Sequence, residues 1–149
     1  MPRNLLVATL LAAALAFPAY AAPTLTCKLL KSDEAAQVLG PSPTLQTALE
    51  GGACVYVRGK ATLTVAQPAS YHDGSVIVAA FEAQMKTQQG QPLAGVGDRA
   101  YLAKQNSGYQ LGFLKGKTLA VVEVYGDGTD GPETATKLEA AAQLVASRL

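Results

Sequence analysis

Two rhythms of apolar positions run along this chain. The first has a period of two. It predicts strands over residues 53–58, 61–67, 99–104, 109–115 and 118–125. In the second of these, Leu63 and Val65 point one way while Thr62 and Thr64 point the other. Gly59-Lys60, Asn106-Ser107-Gly108 and Gly116-Lys117 separate neighbouring strands as tight turns, so the pairing is mostly antiparallel. The last strand carries Leu119 and Val121 on one face and Ala120, Val122 and Val124 on the other. A strand apolar on both faces belongs in the middle of a sheet covered on both sides.

The second rhythm is helical. Ser32 can cap a short helix, with Asp33 and Glu34 in its first turn and Gly40 at its end. Residues 73–88 place Ile77, Phe81 and Met85 at i, i+4 and i+8, with Asp73 as the cap. Residues 132–148 align Leu138, Ala141, Ala142, Val145 and Leu149 on one stripe. Residues 44–52 give no clear rhythm and read as a loop or a short turn, and residues 91–97 read as a loop. The expected fold is α+β, in the order α-β-β-α-β-β-β-α: a five-stranded, mostly antiparallel sheet with about three helices packed on it.

Residues 1–21 change the picture of where this domain works. Arg3 is followed by an uncharged apolar run of 13 residues, then Pro18 and the small-x-small triplet Ala19-Tyr20-Ala21. That order reads as a secretory signal peptide cleaved after Ala21, leaving residues 22–149 as one domain. The run is short for a membrane anchor, which needs about 20 residues. A lipoprotein reading meets Thr24-Leu25-Thr26 in front of Cys27, not the small residues that a lipidated cysteine requires. The domain is therefore expected in a bacterial periplasm or outside the cell, without a transmembrane segment and as a monomer. Export to an oxidising compartment makes Cys27 and Cys54, both within residues 22–149, a structural disulfide.

Charge narrows the partners. Without Arg3 the 12 basic residues fall to equal the 11 acidic ones, which leaves no electrostatic case for nucleic acid. No metal or cofactor is expected, since the single histidine and two paired cysteines leave too few ligands. His72 lies between Ser70-Tyr71 and Asp73, but sequence neighbours at a helix start do not set a nucleophile and an acid on opposite sides of an imidazole. Gly95-x-Gly97-x-x-Ala100 has the spacing of a dinucleotide fingerprint, yet it follows a loop and opens a strand. Asp98 beside these glycines is expected to bond the local backbone. Residues 127–131 miss the ligand spacing of a calcium loop and read as a turn. Tyr56, Tyr71, Tyr101, Tyr109 and Tyr125 are expected to seal sheet edges with their hydroxyls in water.

Four segments carry a resemblance. Cys27-Lys28-Leu29-Leu30 leads into Glu34-Ala35-Ala36-Gln37-Val38-Leu39-Gly40, and Cys54-Val55-Tyr56 opens a hairpin. Gly95-Val96-Gly97-Asp98-Arg99-Ala100-Tyr101 precedes the second set of strands, and an Ala/Leu-rich helix follows. Together they resemble small bacterial exported proteins and lipoproteins of unknown function, for which the resemblance implies a PsbP/Mog1-like α/β/α fold. It implies no catalytic residue. The expected function is a binding or interaction module for a protein partner or small ligand of the cell envelope, not an enzyme. Its candidate binding residues are Tyr71, His72, Gly95, Gly97, Asp98 and Arg99, because loops on a rigid scaffold carry most sites. The alternatives are a small hydrolase using His72 with a carboxylate, and a structural or assembly factor of the envelope.

Overall fold

The computed structural model describes residues 25–49, 52–70 and 72–149. The leader expected over residues 1–21 lies outside them, as does Tyr71. Among the described residues the elements run α1 (Ser32–Leu39), β1 (Thr44–Ala48), β2 (Cys54–Arg58), β3 (Ala61–Ser70), α2 (Gly74–Thr87), β4 (Gln91–Leu93), β5 (Arg99–Gln105), β6 (Gly108–Lys115), β7 (Thr118–Tyr125) and α3 (Pro132–Ala146). All strands join one antiparallel sheet in the order β1-β2-β3-β7-β6-β5-β4.

The sheet thus has seven strands, not the expected five, although the α+β class and the three helices stand. Both additions are edge strands. In β1 only Leu45 and Ala48 are even partly buried, so its sequence shows no two-residue alternation. β4 contains Pro92, which cannot donate to a ladder and is tolerated where one strand side has no neighbour. β3 also runs on to Ser70, with Pro68 falling inside a register irregularity between Ala66 and Ala69. The first helix begins one residue earlier than expected: Lys31 is the N-cap, and its N–H donates to Glu34 Oε2 at 2.8 Å. Asp73 caps α2 as expected, its carboxylate accepting from the Ser75 N–H at 2.8 Å.

Helices lie on both faces. On one, α1 and α3 pack over Tyr56, Leu63, Leu111, Phe113 and Val122. On the other, Ile77 and Phe81 of α2 pack over Tyr101, Ala103, Leu114 and Leu119. β7 is the middle strand, buried on both faces through most of its length, as its apolar sequence requires. Two buried surfaces around one sheet provide a core large enough for a chain of this size.

The disulfide Cys27–Cys54 is present. It ties the segment before α1 to the first residue of β2. The tyrosines depart from expectation. Tyr56 and Tyr101 are fully buried and Tyr109 nearly so, leaving Tyr125 as the exposed one among the described tyrosines. The Tyr56 hydroxyl donates to the Leu30 carbonyl, and that of Tyr109 to the Asp130 carbonyl at 3.0 Å. Backbone oxygens inside the fold, not water, satisfy these polar tips.

Candidate functional site

The candidate residues gather at one end of the sheet, around the β6–β7 turn. The Asp98 N–H donates to the Leu114 carbonyl at 2.7 Å, and its carboxylate accepts from the Gly116 N–H, also at 2.7 Å. Asp98 therefore bonds the backbone of a neighbouring hairpin instead of its own loop. Lys115 stands 3.9 Å from the same carboxylate. Lys117 of that turn reaches the His72 carbonyl at 3.1 Å. The loop before β5 and the start of α2 are thus both fastened to one hairpin.

Val96 explains why this loop has a fixed shape. It is buried in the core beneath α1 and α3, between two glycines at positive φ. Gly97 is required there, since a Cβ would run into the Leu114 carbonyl oxygen and the Phe113 ring. A Cβ at Gly95 would meet only the Gln143 side chain, at an ordinary contact distance of 3.9 Å, so its positive φ in the turn is what calls for glycine. Sequence reasoning passed over Val96, although an apolar residue flanked by two glycines is a signal for an anchored loop.

Arg99 leaves this cluster and turns toward α2. Its guanidinium lies 5.2 Å from the centre of the Phe81 ring and 3.1 Å from Glu82 Oε1. With Phe81, Met85, Leu93 and Pro92 it borders an open cleft of about 320 Å³ between α2 and the edge strand β4. Met85 and Pro92 went unremarked in the sequence as site residues, because each reads as ordinary helix stripe or loop, whereas Leu93 opens the loop to Arg99 that the sequence singles out. The floor is apolar, and the charged wall holds Arg99 together with Asp98, whose carboxylate is taken up by the Gly116 N–H and faces Lys115. The Arg99–Glu82 pair is about half exposed, so it holds by no more than ~1 kcal/mol and can open for a competing anion.

A second groove, of about 280 Å³, lies between α1 and α3. Its charged groups are already committed. Glu34 accepts from both nitrogens of Arg148, and Lys137 pairs with Glu133 at 2.6 Å. The Glu34 carboxyl is lowered to about 2, chiefly by the Arg148 hydrogen bond. That groove has a mostly apolar lining, and the charged groups that line it are already paired.

His72 is exposed, and the carboxylate beside it is occupied. Asp73 accepts from both the N–H and the hydroxyl of Ser75, each at 2.8 Å, and these bonds hold its carboxyl below the usual range. No cluster of three or more His, Cys, Asp or Glu residues is placed to hold a metal among the described residues. No helix among them is long and apolar enough to cross a membrane. Comparison with protein-family models, characterised proteins and solved structures finds no match for the chain.

Proposed function

We propose that this chain is an exported binding or interaction module, working in a periplasm or outside the cell, and that the cleft between α2 and β4 is its binding face. The observation that carries the reading is Arg99. Its guanidinium sits at the mouth of an apolar cleft, held there by an aromatic ring and one exchangeable carboxylate. Such a site suits a ligand with an apolar body and a single negative charge. The apolar body replaces water over Met85 and Leu93, and the anion displaces Glu82 from Arg99. The disulfide supports the exported part of the proposal, because such bonds persist in oxidising compartments. A hydrolase reading would need a carboxylate for His72, and Asp73 is engaged by Ser75.

Anilinonaphthalene sulfonate, an apolar body with one anionic group, is a direct probe. The folded protein is expected to bind it saturably, with fluorescence enhancement. Arg99→Ala and Met85→Ala should each weaken that binding severalfold while the melting temperature stays within a few degrees. Unchanged binding in both variants would remove the cleft from consideration.

A further inference from the structure

The backbone beside the α2–β4 cleft narrows the kind of apolar anion that suits it; this inference rests on the binding face proposed above. β4 is an edge strand, with β5 on one side and no strand on the other among the described residues. It pairs Gln91 with Leu102, Pro92 with Tyr101 and Leu93 with Ala100. Antiparallel pairs alternate between those that exchange two hydrogen bonds and those that exchange none. Proline has no N–H, so Pro92–Tyr101 is a pair of the second kind and its neighbours are of the first. Leu93 therefore turns both its N–H and its carbonyl inward to Ala100, and the Pro92 carbonyl points outward. Across the planar trans peptide that follows Leu93, the Ala94 N–H lies opposite the Leu93 carbonyl and points outward too. Pro92 and Ala94 are both exposed.

These two outward groups flank Leu93 as the groups of a parallel ladder do. A residue added beside Leu93, running in the same direction, donates its N–H to the Pro92 carbonyl and accepts at its own carbonyl from the Ala94 N–H. An antiparallel strand would need the N–H that Pro92 lacks. Pro92 thus blunts the edge against one orientation and leaves the other open.

Direction then decides which end of an added segment meets Arg99. β4 advances from Gln91 to Leu93, and β5 returns from Arg99 through Ala100, so Arg99 stands just past Leu93. A parallel segment runs its carboxyl end toward Arg99. Its side chains alternate between the two faces of the sheet. The residue beside Leu93 shares the face of Leu93, which packs against the core beneath α1 and α3. The next residue turns to the other face, where Phe81 and Met85 of α2 border the cleft. One residue advances about 3.3 Å along a strand, so a carboxylate at that next residue is level with Arg99.

We infer that the cleft takes the C-terminus of an extended polypeptide, laid parallel to β4 as a further strand. Its last side chain is apolar and enters the cleft over Met85. Its terminal carboxylate replaces Glu82 at Arg99, and its penultimate residue makes the two edge bonds at Pro92 and Ala94. A fatty acid uses the cleft and Arg99 but leaves the edge unbonded.

Amide shifts of the folded protein test the assignment. The probes are acetyl-alanyl-threonyl-leucine with a free carboxylate, its C-terminal amide, the same acid methylated on the threonyl nitrogen, and octanoate. The free acid is expected to bind saturably, to move the Ala94 amide proton downfield, and to bind at least about tenfold tighter than each of the other three. Octanoate should leave the Ala94 proton in place. Arg99→Ala should abolish the advantage of the acid over its amide. Methylation acts on the ligand alone, so the outcome does not depend on how any variant folds. If octanoate and anilinonaphthalene sulfonate bind through Arg99 while the free acid gains nothing over octanoate or over its methylated form, the C-terminus assignment is overturned and the apolar-anion site stands. If neither the sulfonate nor any of the four probes binds, both readings fall.

Discussion

The ion pair between Glu34 and Arg148 joins the first turn of α1 to the residues just after α3. Arg148 Nη1 also donates to the Leu29 carbonyl at 2.8 Å, so one side chain closes three segments together. The Glu34 carboxyl falls from 4.5 to about 2, led by the Arg148 hydrogen bond. A shift of that size corresponds to about 3.4 kcal/mol at 1.36 kcal/mol per pH unit. The two side chains keep 17% and 26% of their exposure, so screening reduces the net worth to about 1–2 kcal/mol. The sign follows from a depressed carboxyl. The stabilisation is present above pH 4.5 and is lost as pH falls toward 2. Urea unfolding of the wild type, Glu34→Gln, Arg148→Gln and the double variant should show a coupling of about 1–2 kcal/mol at pH 7. The gap between wild type and Glu34→Gln should close as the pH falls through that window. A gap that stays constant from pH 7 to the acid end, or a coupling near zero at pH 7, would refute the reasoning.

Other perturbations read other parts of the fold. Replacing Cys27 and Cys54 with alanine opens a loop of sequence separation 27 and should cost about 3.5 kcal/mol on chain-entropy grounds, read as a lower urea midpoint matching that of the reduced wild type. Gly112→Ala would place a methyl 2.6 Å from a carbon of the buried Tyr101 ring, with Phe81 of α2 behind it. The expected loss is about 1–3 kcal/mol, read by thermal unfolding, and near-wild-type stability would mean that the ring has room to move. Glu123→Gln should melt higher than wild type at neutral pH. Burial raises the Glu123 carboxyl, so that group's contribution is favourable at low pH and is lost as pH rises past the raised value; the advantage of glutamine should vanish in acid.

The inner architecture was legible because several signals agreed. Asp73 as a cap, and Ile77 and Phe81 one helical turn apart, mark α2 in the sequence itself. Gly59-Lys60 and Gly116-Lys117 mark two hairpins. The edges were not legible, and the reason is physical. A strand with one neighbour and one wet face has little apolar periodicity to show. β1 has Leu45 between threonine and glutamine, and β4 carries a proline at its centre. The tyrosines misled because the residue is amphipathic. Sequence gives the phenol ring but not its acceptor, and here the acceptors are the carbonyls of Leu30 and Asp130. At the candidate site, the loop containing Asp98 and Arg99 was visible from its glycines. Its fastening to Gly116, and the cleft with Met85 and Leu93, depend on contacts distant along the chain.

The pairing of β3 with β7 also governs how the molecule must be assembled. It matches Thr62 with Tyr125 and Ser70 with Thr118, and it lies at the heart of the sheet. Neither meander is complete by itself. A chain halted before Thr118 exposes β3 on one side and β6 on the other, each with a full row of unpaired amides and carbonyls. Closure of so distant a contact is slow compared with the local hairpins, and both rows stay adhesive until it occurs. Refolding yield should therefore fall steeply with protein concentration. Tethering or pre-forming the β3–β7 seam should rescue it where stabilising an outer hairpin does not.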